Sequence, residues 1–357
     1  SHKACNEFFI LAFMIDEDFS LKLIKWYNVN KRDLPWRKTN DPYKIWISEI
    51  VLQQTRVDQG LPYYLNFIKE FPKVQNLANA SEDKVLKLWQ GLGYYSRARN
   101  LHFTSKFISK ELNGKFPENY NELLKLKGVG EYTASAIASF AFNEKKAVLD
   151  GNVFRLLSRY YGVLVPIDSI KGKKIFNSLA YKNLPKSNYA TYNQSIMEFG
   201  ALQCKPSNPD CGICPLNIKC WAFINLKTKD LPYKEKKIKV RLRYFNFVII
   251  QDNKSVIMEK RLSKDIWRNL YQFPLFETVN ENFEPPKNLV QNYSLIKKTK
   301  AVHKLTHQKL NIVFWHFKCK KNLVEKDQIV VKLKNILKYP VPKIVENYIA
   351  ENITNGR

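Results

Sequence analysis

The chain has 357 residues, enough for about two domains that each bury a hydrophobic core. Its formal net charge is +27, from 59 Lys and Arg against 32 Asp and Glu, spread along the whole chain. This charge predicts a polyanionic partner, with lysine kept for solubility as the alternative explanation. Four of the six cysteines share one short loop, which favours a reducing compartment over a secreted disulfide framework.

The first apolar run, residues 8–15, is too short to span a membrane and leads into Asp16-Glu17-Asp18. Acidic residues at this position also argue against a signal peptide. We therefore expect no membrane association, and roughly the first fifteen residues are left out of the fold prediction.

Residues 18–201 show helical signals throughout. Asp41-Pro42 is typical of a helix start, Ser81 of a helix cap, and Gly114 of a helix end. Small residues dominate 133–141, which would let a helix pack closely on a neighbour. The pattern predicts an all-helical body that ends at a cysteine-containing loop.

Residues 226–242 are rich in lysine around Pro232 and predict a solvated linker. Beyond them the apolar period changes to two, and the segments 244–250, 255–258 and 310–318 predict strands. A second domain of the α+β class is therefore expected.

The cysteine loop has the spacing C-x6-C-x2-C-x5-C, formed by Cys204, Cys211, Cys214 and Cys220. Four soft thiolates in one loop can close around a tetrahedral zinc or a cubane iron–sulfur cluster. Zinc sites usually join two close pairs from separated knuckles, so the single loop with a wide first gap favours a [4Fe-4S] cluster. Zinc and free buried cysteines are the alternatives.

Residues 126–134 predict a helix–turn–helix junction with Gly128 and Gly130 in the turn. Paired glycines let backbone amides face outward at the start of the next helix, where the helix dipole also favours an anion. Such a turn would hold a DNA phosphate without reading sequence. Twenty residues further on, Asp150 precedes another predicted helix.

The hairpin, Asp150 and the cysteine loop, in this order, resemble the helix–hairpin–helix DNA glycosylases with an iron–sulfur cluster, over about residues 18–225. Three further segments resemble the A/G-specific adenine glycosylases of the MutY type: Asp33-Leu-Pro-Trp-Arg37, Trp46-Ile-Ser-Glu-Ile-Val-Leu-Gln-Gln-Thr-Arg56 and Gly91-Leu-Gly-Tyr-Tyr-Ser-Arg97. The resemblance implies removal of adenine mispaired with 8-oxoguanine or guanine, in base excision repair.

The chemistry of this reaction explains the residue types. Adenine anion is a poor leaving group, so a ring nitrogen, expected to be N7, must be protonated. A carboxylic acid can supply that proton if burial raises its pKa, and we expect Glu49 to do so. Asp150 is the anion expected to stabilise or trap the oxocarbenium-like sugar that the departing base leaves. The resemblance implies that Tyr132 and Asn152 position the acid, the aspartate and water.

The resemblance also assigns binding residues. A pocket for the base rotated out of the duplex is expected from Trp36, Arg37 and Gln194. Contacts to DNA or to the lesion are expected from Gln54, Thr55, Leu92, Tyr94, Gly128 and Gly130. Glycosylases with lyase activity, of the endonuclease III type, carry a lysine two residues after the second hairpin glycine. Tyr132 occupies that position here and offers no amine for a Schiff base.

The second domain resembles, more loosely, the Nudix-like module of the same enzymes. Residues 266–274 correspond to a motif before the Nudix box, but 275–295 lack the glutamate-rich helix, so no pyrophosphatase activity is expected. Residues 303–310 match the loop that reads 8-oxoguanine. Leu305-Thr306 replaces its usual Phe-Ser pair, and Thr306 and His307 are the expected lesion contacts.

The sequence thus predicts a multi-domain protein. The predicted boundaries are 18–225 for the all-α helix–hairpin–helix body with its [4Fe-4S] loop at 204–220, 226–242 for the basic linker, and 243–350 for the α+β Nudix-like domain. A cytoplasmic, nucleoid-associated monomer acting on double-stranded DNA is expected. An endonuclease III-like glycosylase/lyase and a non-catalytic iron–sulfur DNA-binding protein are the alternatives.

Overall fold

The computed structural model describes residues 17–235, 239–290, 293–320 and 327–354. These residues form two compact units. The first takes the described residues up to 54 and those from 107 to 235, and the second takes 55–106 and the described residues from 239 onward. The apolar run at 8–15 lies outside the described residues. Within the described ranges, no helix is both long and apolar enough to cross a membrane.

Helices dominate the chain as far as residue 224. In chain order they are α1 (Glu17–Asn30), α2 (Pro42–Leu52), α3 (Val57–Glu70), α4 (Val74–Asn79), α5 (Glu82–Leu88), α6 (Ser96–Glu111), α7 (Tyr120–Leu123), α8 (Glu131–Phe142), α9 (Gly151–Tyr161), α10 (Ile170–Lys182), α11 (Tyr189–Leu202) and α12 (Trp221–Ile224). Short 3-10 turns at Pro35–Arg37 and Asn217–Lys219 complete this part of the described chain.

The predicted helix boundary signals are confirmed. Asp41 accepts a hydrogen bond from the Tyr43 backbone N–H (2.9 Å) with Pro42 at the first position of α2. Ser81 accepts one from the Lys84 N–H (3.3 Å) at the start of α5. Gly114 follows α6 with φ +79°, a left-handed conformation that glycine adopts at little cost.

The core of the first unit lies where α1, α9 and α11 meet. Phe19 and Leu23 of α1 are fully buried against Leu157 and Phe199. The ring edge of Trp26 packs on Phe199 with the ring centroids 4.8 Å apart. Burial of these large apolar side chains is the main force holding the helices together, and it confirms the predicted helical body.

The second unit contains a seven-stranded sheet. Its strands are β1 (Arg241–Gln251), β2 (Ser255–Lys260), β3 (Tyr271–Gln272), β4 (Leu275–Thr278), β5 (Ser294–Lys304), β6 (Gln308–Lys318) and β7 (Gln328–Lys332). The order β3-β2-β1-β6-β5 has β4 paired with β1 and β7 with β2. A one-turn helix α13 (Lys287–Val290) precedes β5, and α14 (Lys343–Ile349) follows β7 and a 3-10 segment at Leu333–Lys338. The α+β prediction is confirmed.

Strands β5 and β6 form an antiparallel hairpin whose tip is the predicted lesion loop. The pairing runs to Lys304 opposite Lys309, and the Leu305 N–H donates to the Gln308 carbonyl (2.8 Å) across the turn. Thr306 and His307 are therefore presented at the exposed end of a two-stranded ribbon. The sequence did not predict β5, because this strand is lysine-rich and largely exposed.

Residues 55–106 share the compact unit of the sheet. Asp83 of α5 accepts hydrogen bonds from Lys260 Nζ (2.7 Å) and from the Tyr271 hydroxyl (3.0 Å). Arg99 of α6 donates to the Arg268 carbonyl (2.9 Å). The domain boundaries predicted from the sequence rest on changes in residue pattern. The two compact units are instead defined by contacts between residues in the structure.

Candidate active site

Glu49 is a buried carboxylic acid on the apolar helix α2. Its neighbours in that helix from Ile45 to Val51 are all buried, and Glu49 itself is 6% exposed. Burial raises the pKa of Glu49 from 4.5 to about 7, with Asp150 adding to the rise. The Tyr132 hydrogen bond and the Arg37 charge act in the opposite direction. An acid with this pKa can be protonated at neutral pH and can release its proton there.

Tyr132 reaches Glu49 from the glycine turn. Gly128 takes φ +82° and Gly130 caps α8, so the helix begins with Tyr132 in its first turn. The Tyr132 hydroxyl donates to Oε2 of Glu49 over 2.7 Å. Burial raises the pKa of Tyr132 well above its ordinary value, and the phenol therefore stays neutral.

Asp150 is the N-cap of α9 and the second carboxylate of the site. Its Oδ1 accepts from the Val153 N–H (2.7 Å) and its Oδ2 from Nδ2 of Asn152 (2.7 Å). Burial raises the pKa of Asp150, while these donors and the Arg155 charge favour the charged form. Because it also stands at the positive end of a helix, Asp150 has more support for a negative charge than Glu49 has.

Asn152 is held in place by a hydrogen bond from Arg155 and by the close packing of α11. Arg155 Nη2 donates to Oδ1 of Asn152 (2.8 Å) and to the Gly200 carbonyl (2.6 Å), and Arg155 Nε donates to the Cys204 carbonyl (2.8 Å). A Cβ at Gly200 would lie 2.7 Å from Cβ of Asn152, so glycine is required at this contact. The amide that holds Asp150 is thus tied to the start of the cysteine loop.

The three residues predicted to form the base pocket lie in the same unit. Trp36 is buried in the 3-10 turn before α2, with 6% exposure. Arg37 Nε donates to Oε1 of Gln194 on α11 (3.2 Å). The remaining guanidinium nitrogens of Arg37 donate to the carboxylate of Glu198 (2.7 Å each).

The four cysteines surround one small cavity between α9, α11 and the loop that follows α11. Its apolar wall includes Leu156, Phe199 and Leu216, and Cys204, Cys211, Cys214 and Cys220 all line it. All four side chains are free thiols. Burial raises the pKa of Cys214 to about 12, with the neighbouring cysteines adding to the rise.

Arg159 of α9 ties this loop to the helical body. It donates to the Lys205 carbonyl (2.7 Å), the Pro206 carbonyl (3.1 Å) and Sγ of Cys204 (3.4 Å). In the described ranges, no three or more His, Cys, Asp or Glu side chains are grouped as the ligands of a single metal ion.

Four predicted DNA or lesion contacts of the second unit line a cavity of ≈ 540 Å³: Leu92, Tyr94, Thr306 and His307. Tyr94 and Thr306 are in hydrogen-bond contact through their hydroxyl groups. Tyr94 is 42% exposed and takes φ +46°, between Gly93 and the start of α6. Leu92 is 7% exposed, so its side chain packs inside this unit. His307 is exposed at the hairpin tip.

Two predicted DNA contacts follow the end of α2. Gln54 is exposed with φ +55°, an uncommon conformation for a residue with a side chain. Thr55 follows it as the first residue of the second unit.

Sequence reasoning missed several charged residues that hold the site together. They are Arg32 and Glu198, which pair with each other, and Arg155 and Arg159, which reach the cysteine loop. Each of the last three interrupts a mainly buried helix segment, and that isolated charge was the available signal. The contact between Arg32 and Glu198 has no signal in the sequence, because the two residues are 166 positions apart.

Known proteins match both parts of this chain. Residues 47–179 match the family model of the HhH-GPD superfamily base excision DNA repair protein, and residues 246–351 match the model of the NUDIX domain. Among solved structures, a thermostable thymine-DNA glycosylase is 28% identical, with a TM-score of 0.54 over 58% of this chain and 96% of that one. An endonuclease III–DNA complex, 21% identical with a TM-score of 0.50, covers 59% of this chain and 94% of that one and shows similarity of fold.

The fold is therefore that of a helix–hairpin–helix base excision DNA repair protein with a C-terminal Nudix-like domain. Curated adenine DNA glycosylases from two Buchnera aphidicola subspecies are close in sequence. The protein from Buchnera aphidicola subsp. Schizaphis graminum is 41% identical over 83% of this chain and 86% of its own length. The protein from subsp. Baizongia pistaciae is 38% identical over 82% of this chain and 84% of its own length. The human adenine DNA glycosylase is 39% identical over 60% of this chain and 41% of its own length. This chain belongs to the adenine DNA glycosylase family.

Proposed function

We propose that this protein hydrolyses the N-glycosidic bond of adenine mispaired with 8-oxoguanine or guanine, as a monofunctional glycosylase. The observation that carries the proposal is that one site contains two carboxylates in different environments. Glu49 is a buried acid with a pKa of about 7, and Asp150 is a carboxylate held by two hydrogen-bond donors. Glycoside cleavage commonly divides its work between two carboxylates in different environments.

Glu49 acts as the general acid. Its Oε2 accepts the Tyr132 hydrogen bond, which leaves Oε1 to carry the proton that moves to N7 of adenine. Protonation turns adenine into a better leaving group, and general acid catalysis of this kind contributes typically ~10²–10⁴-fold.

Asp150 stabilises the positive charge that develops on the sugar as the base leaves. Asn152 holds Oδ2 and the Val153 N–H holds Oδ1, so the carboxylate is oriented before the substrate arrives. Such preorganisation is an effective form of catalysis, because no reorientation is needed in the transition state. Water then adds to C1′ of the sugar and gives up a proton to the Glu49 carboxylate, which restores the acid. Tyr132 and Asn152 are the polar groups that position this water.

The flipped adenine occupies a pocket formed by Trp36, Arg37 and Gln194. The buried Trp36 ring supplies an apolar wall, and the Arg37–Gln194 pair supplies donors and an acceptor for the base edge. Enzymes that act on a base inside a duplex must rotate it into such a pocket.

The absence of an amine at position 132 supports simple hydrolysis over a lyase reaction. Tyr132 is neutral and engaged with Glu49, so it is not placed to form a covalent link to the sugar. Borohydride reduction during turnover would trap a Schiff base, and we expect no protein–DNA adduct. An adduct would favour the endonuclease III-like alternative.

The cysteine loop is proposed to hold a [4Fe-4S] cluster through Cys204, Cys211, Cys214 and Cys220. Four thiols around one cavity can supply the four ligands that such a cluster needs. The cluster would order the loop and take no part in hydrolysis. We expect about four irons per chain and an iron–sulfur absorption band, whereas stoichiometric zinc without iron would contradict the proposal. Cys204→Ser and Cys220→Ser should weaken folding and DNA binding more than base chemistry.

The binding partner is proposed to be double-stranded DNA containing A:8-oxoguanine or A:G, bound by a monomer. The net charge of +27 supports a polyanionic partner. The Gly128–Gly130 turn would hold a phosphate, and Gln54, Thr55 and Tyr94 would contact the duplex. Thr306 and His307, at an exposed hairpin tip, would read the lesion.

The test is excision on matched duplexes. Single-turnover reactions with A opposite 8-oxoguanine, A opposite guanine and A opposite thymine, followed by alkali, report abasic sites as strand breaks. We expect breaks at adenine in the first two duplexes and none in the third. Binding of the mispair duplexes without breaks would support the non-catalytic DNA-binding alternative.

A further inference from the structure

A buried ionic cluster lies next to the base pocket, and its carboxylate has no role in the mechanism given above. It consists of Glu198 on α11 together with Arg32 and Arg37. The Glu198 side chain is 0% exposed, while those of Arg32 and Arg37 are 32% and 11% exposed. A buried carboxylate held by two guanidinium groups is costly to desolvate, so such a cluster adds little to stability on its own.

Two guanidinium groups hold the Glu198 carboxylate, and this arrangement of Glu198, Arg32 and Arg37 is called the clamp below. Oε1 of Glu198 accepts from the Arg32 N–H (2.9 Å), Arg32 Nε (3.0 Å) and Arg37 Nη1 (2.7 Å), and Oε2 accepts from Nη2 of Arg32 (2.6 Å) and of Arg37 (2.7 Å). With both oxygens occupied by charged donors, the pKa of Glu198 falls to about 2 and the carboxylate stays ionised.

Hydrogen bonds to Glu198 and Arg32 hold the Arg37 guanidinium in one position. Two of its nitrogens face Glu198, and Nη1 also donates to the Arg32 carbonyl (3.2 Å), so only Nε remains to meet Gln194. The Tyr27 ring of α1 lies 5.6 Å from the guanidinium carbon on another side. The guanidinium plane is thereby fixed relative to the pocket wall.

We propose that Glu198 is a positioning residue for adenine excision, which fixes the Arg37 guanidinium against Gln194 in the base pocket and balances its charge beside Glu49. The proposal rests on the function assigned above to Glu49 and to the pocket. Glu49 is faced by three charged or titratable groups, Tyr132 of α8, Asp150 at the start of α9 and Arg37. Of these, Arg37 is the group whose charge Glu198 neutralises.

The proposal has a consequence that a purely structural residue would not have. In Glu198→Gln the Arg37 charge is no longer balanced, so it should favour the ionised form of Glu49. In a plot of excision rate against pH, the decline on the alkaline side should then move to lower pH by about one unit. On this alkaline limb the rate at a given pH should fall roughly tenfold. In Arg32→Gln a positive charge is lost instead, so the limb should stay or move to higher pH.

The experiment uses the full-length, iron-loaded protein and a duplex with A opposite 8-oxoguanine. Single-turnover excision would be measured between about pH 5 and pH 9, with thermal melts and iron content for each variant. Asp33→Asn is the control, because it removes a carboxylate from the same loop that pairs with Lys38 at the surface. We expect the control to keep the wild-type profile. The proposal is overturned if Glu198→Gln keeps the wild-type limb, or if Arg32→Gln moves the limb in the same direction as Glu198→Gln.

Glu198→Asp keeps the test decisive if the amide variant does not fold. The shorter carboxylate preserves the charge but cannot hold both guanidinium groups at the same distance. The limb should therefore stay in place, while the rate falls at every pH and duplex affinity is kept. An aspartate variant with the wild-type rate would contradict the positioning role. Glu49→Gln is measured alongside: if it retains excision, the assigned acid is wrong, whereas an inactive Glu49→Gln with an unaltered Glu198→Gln profile refutes the clamp alone.

Discussion

The Tyr132 hydroxyl donates a 2.7 Å hydrogen bond to Oε2 of Glu49, and this contact joins the glycine turn to the buried acid. It has two effects. It favours the ionised form of Glu49 against the larger effect of burial, and it distinguishes the two carboxyl oxygens by occupying one of them. The other oxygen, Oε1, is then the one from which a proton can pass to the base.

Tyr132→Phe should therefore lower the maximal excision rate about fivefold, equivalent to ~1 kcal/mol of lost orientation. Its alkaline limb should move to higher pH, because the hydrogen bond that lowered the pKa of Glu49 is gone. Single-turnover pH profiles would measure both effects. Tyr189→Phe, which changes an exposed hydroxyl bonded to the Lys186 carbonyl, is the matched control. A profile for Tyr132→Phe that shifts to lower pH would contradict this role.

Glu49 should also make stability depend on pH. Its folded pKa of about 7 exceeds its ordinary value of 4.5, so the folded state holds a proton that the unfolded state releases. Stability falls as pH rises from about 4.5 to 7, and the full cost is present above that window. Glu49→Gln cannot ionise and should be more stable than wild type at about pH 8 by up to ~3 kcal/mol.

Denaturant unfolding of both proteins at about pH 4.5 and pH 8 would measure this difference. The gain should vanish at the lower pH. Glu122→Gln is the control, because Glu122 is at the surface and pairs with Lys125. Equal stability of Glu49→Gln and wild type at both pH values would show that folding does not raise the pKa of Glu49.

Asp150→Asn should separate the structural role of this residue from its chemical one. An amide oxygen can still cap α9, so the melting temperature should change little. The negative charge next to the sugar is lost, and excision should fall by about 100-fold or more. Ser169→Ala removes the cap of α10 instead and should cost about 1 kcal/mol of stability without loss of rate. Excision by Asp150→Asn within about tenfold of wild type would argue against charge stabilisation.

The Tyr94–Thr306 contact predicts a shared role in lesion discrimination. Thr306→Ala and Tyr94→Phe should each reduce the preference for A:8-oxoguanine over A:G by about threefold to tenfold, the value of one hydrogen bond of ~0.5–1.5 kcal/mol. The double variant should lose less than the sum of the two. Point variants are preferable to deletion of 243–350, because Asp83 and Arg99 also bond to that part of the chain. An unchanged preference in both single variants would leave the hairpin tip without a reading role.

The sequence was sufficient for the helical body, the helix caps and the α+β domain. These follow from short-range rules, such as the Asp41-Pro42 start and the period-two segments of β1 and β6. It was not sufficient for β5, whose Lys-rich strand is specified by its pairing with β6 and not by an apolar face. Leu92 stays a predicted DNA contact, and its low exposure of 7% depends on packing, which the local motif does not specify.

The residues of the site also fall into those with a local sequence signal and those that depend on long-range packing. Glu49, Tyr132, Asp150 and Asn152 were predicted from local motifs, and their hydrogen bonds join them in two pairs. The Glu198 cluster was not predicted, because its members meet only after α11 has packed against α1 and the loop that follows it. Side chains that support a site through long-range pairing leave no spacing pattern in one sequence.

The proposed mechanism depends on the transfer of a proton from Glu49 to adenine. The most direct measurement is excision by wild type and Glu49→Gln on a duplex with A opposite 8-oxoguanine, under single-turnover conditions, with binding of the same duplex measured in parallel. The glutamine variant should bind with nearly wild-type affinity and release no adenine, because it keeps the shape of the side chain and its hydrogen bond to Tyr132 but has no acidic proton. Adenine release by Glu49→Gln at a rate close to wild type would contradict this proton transfer.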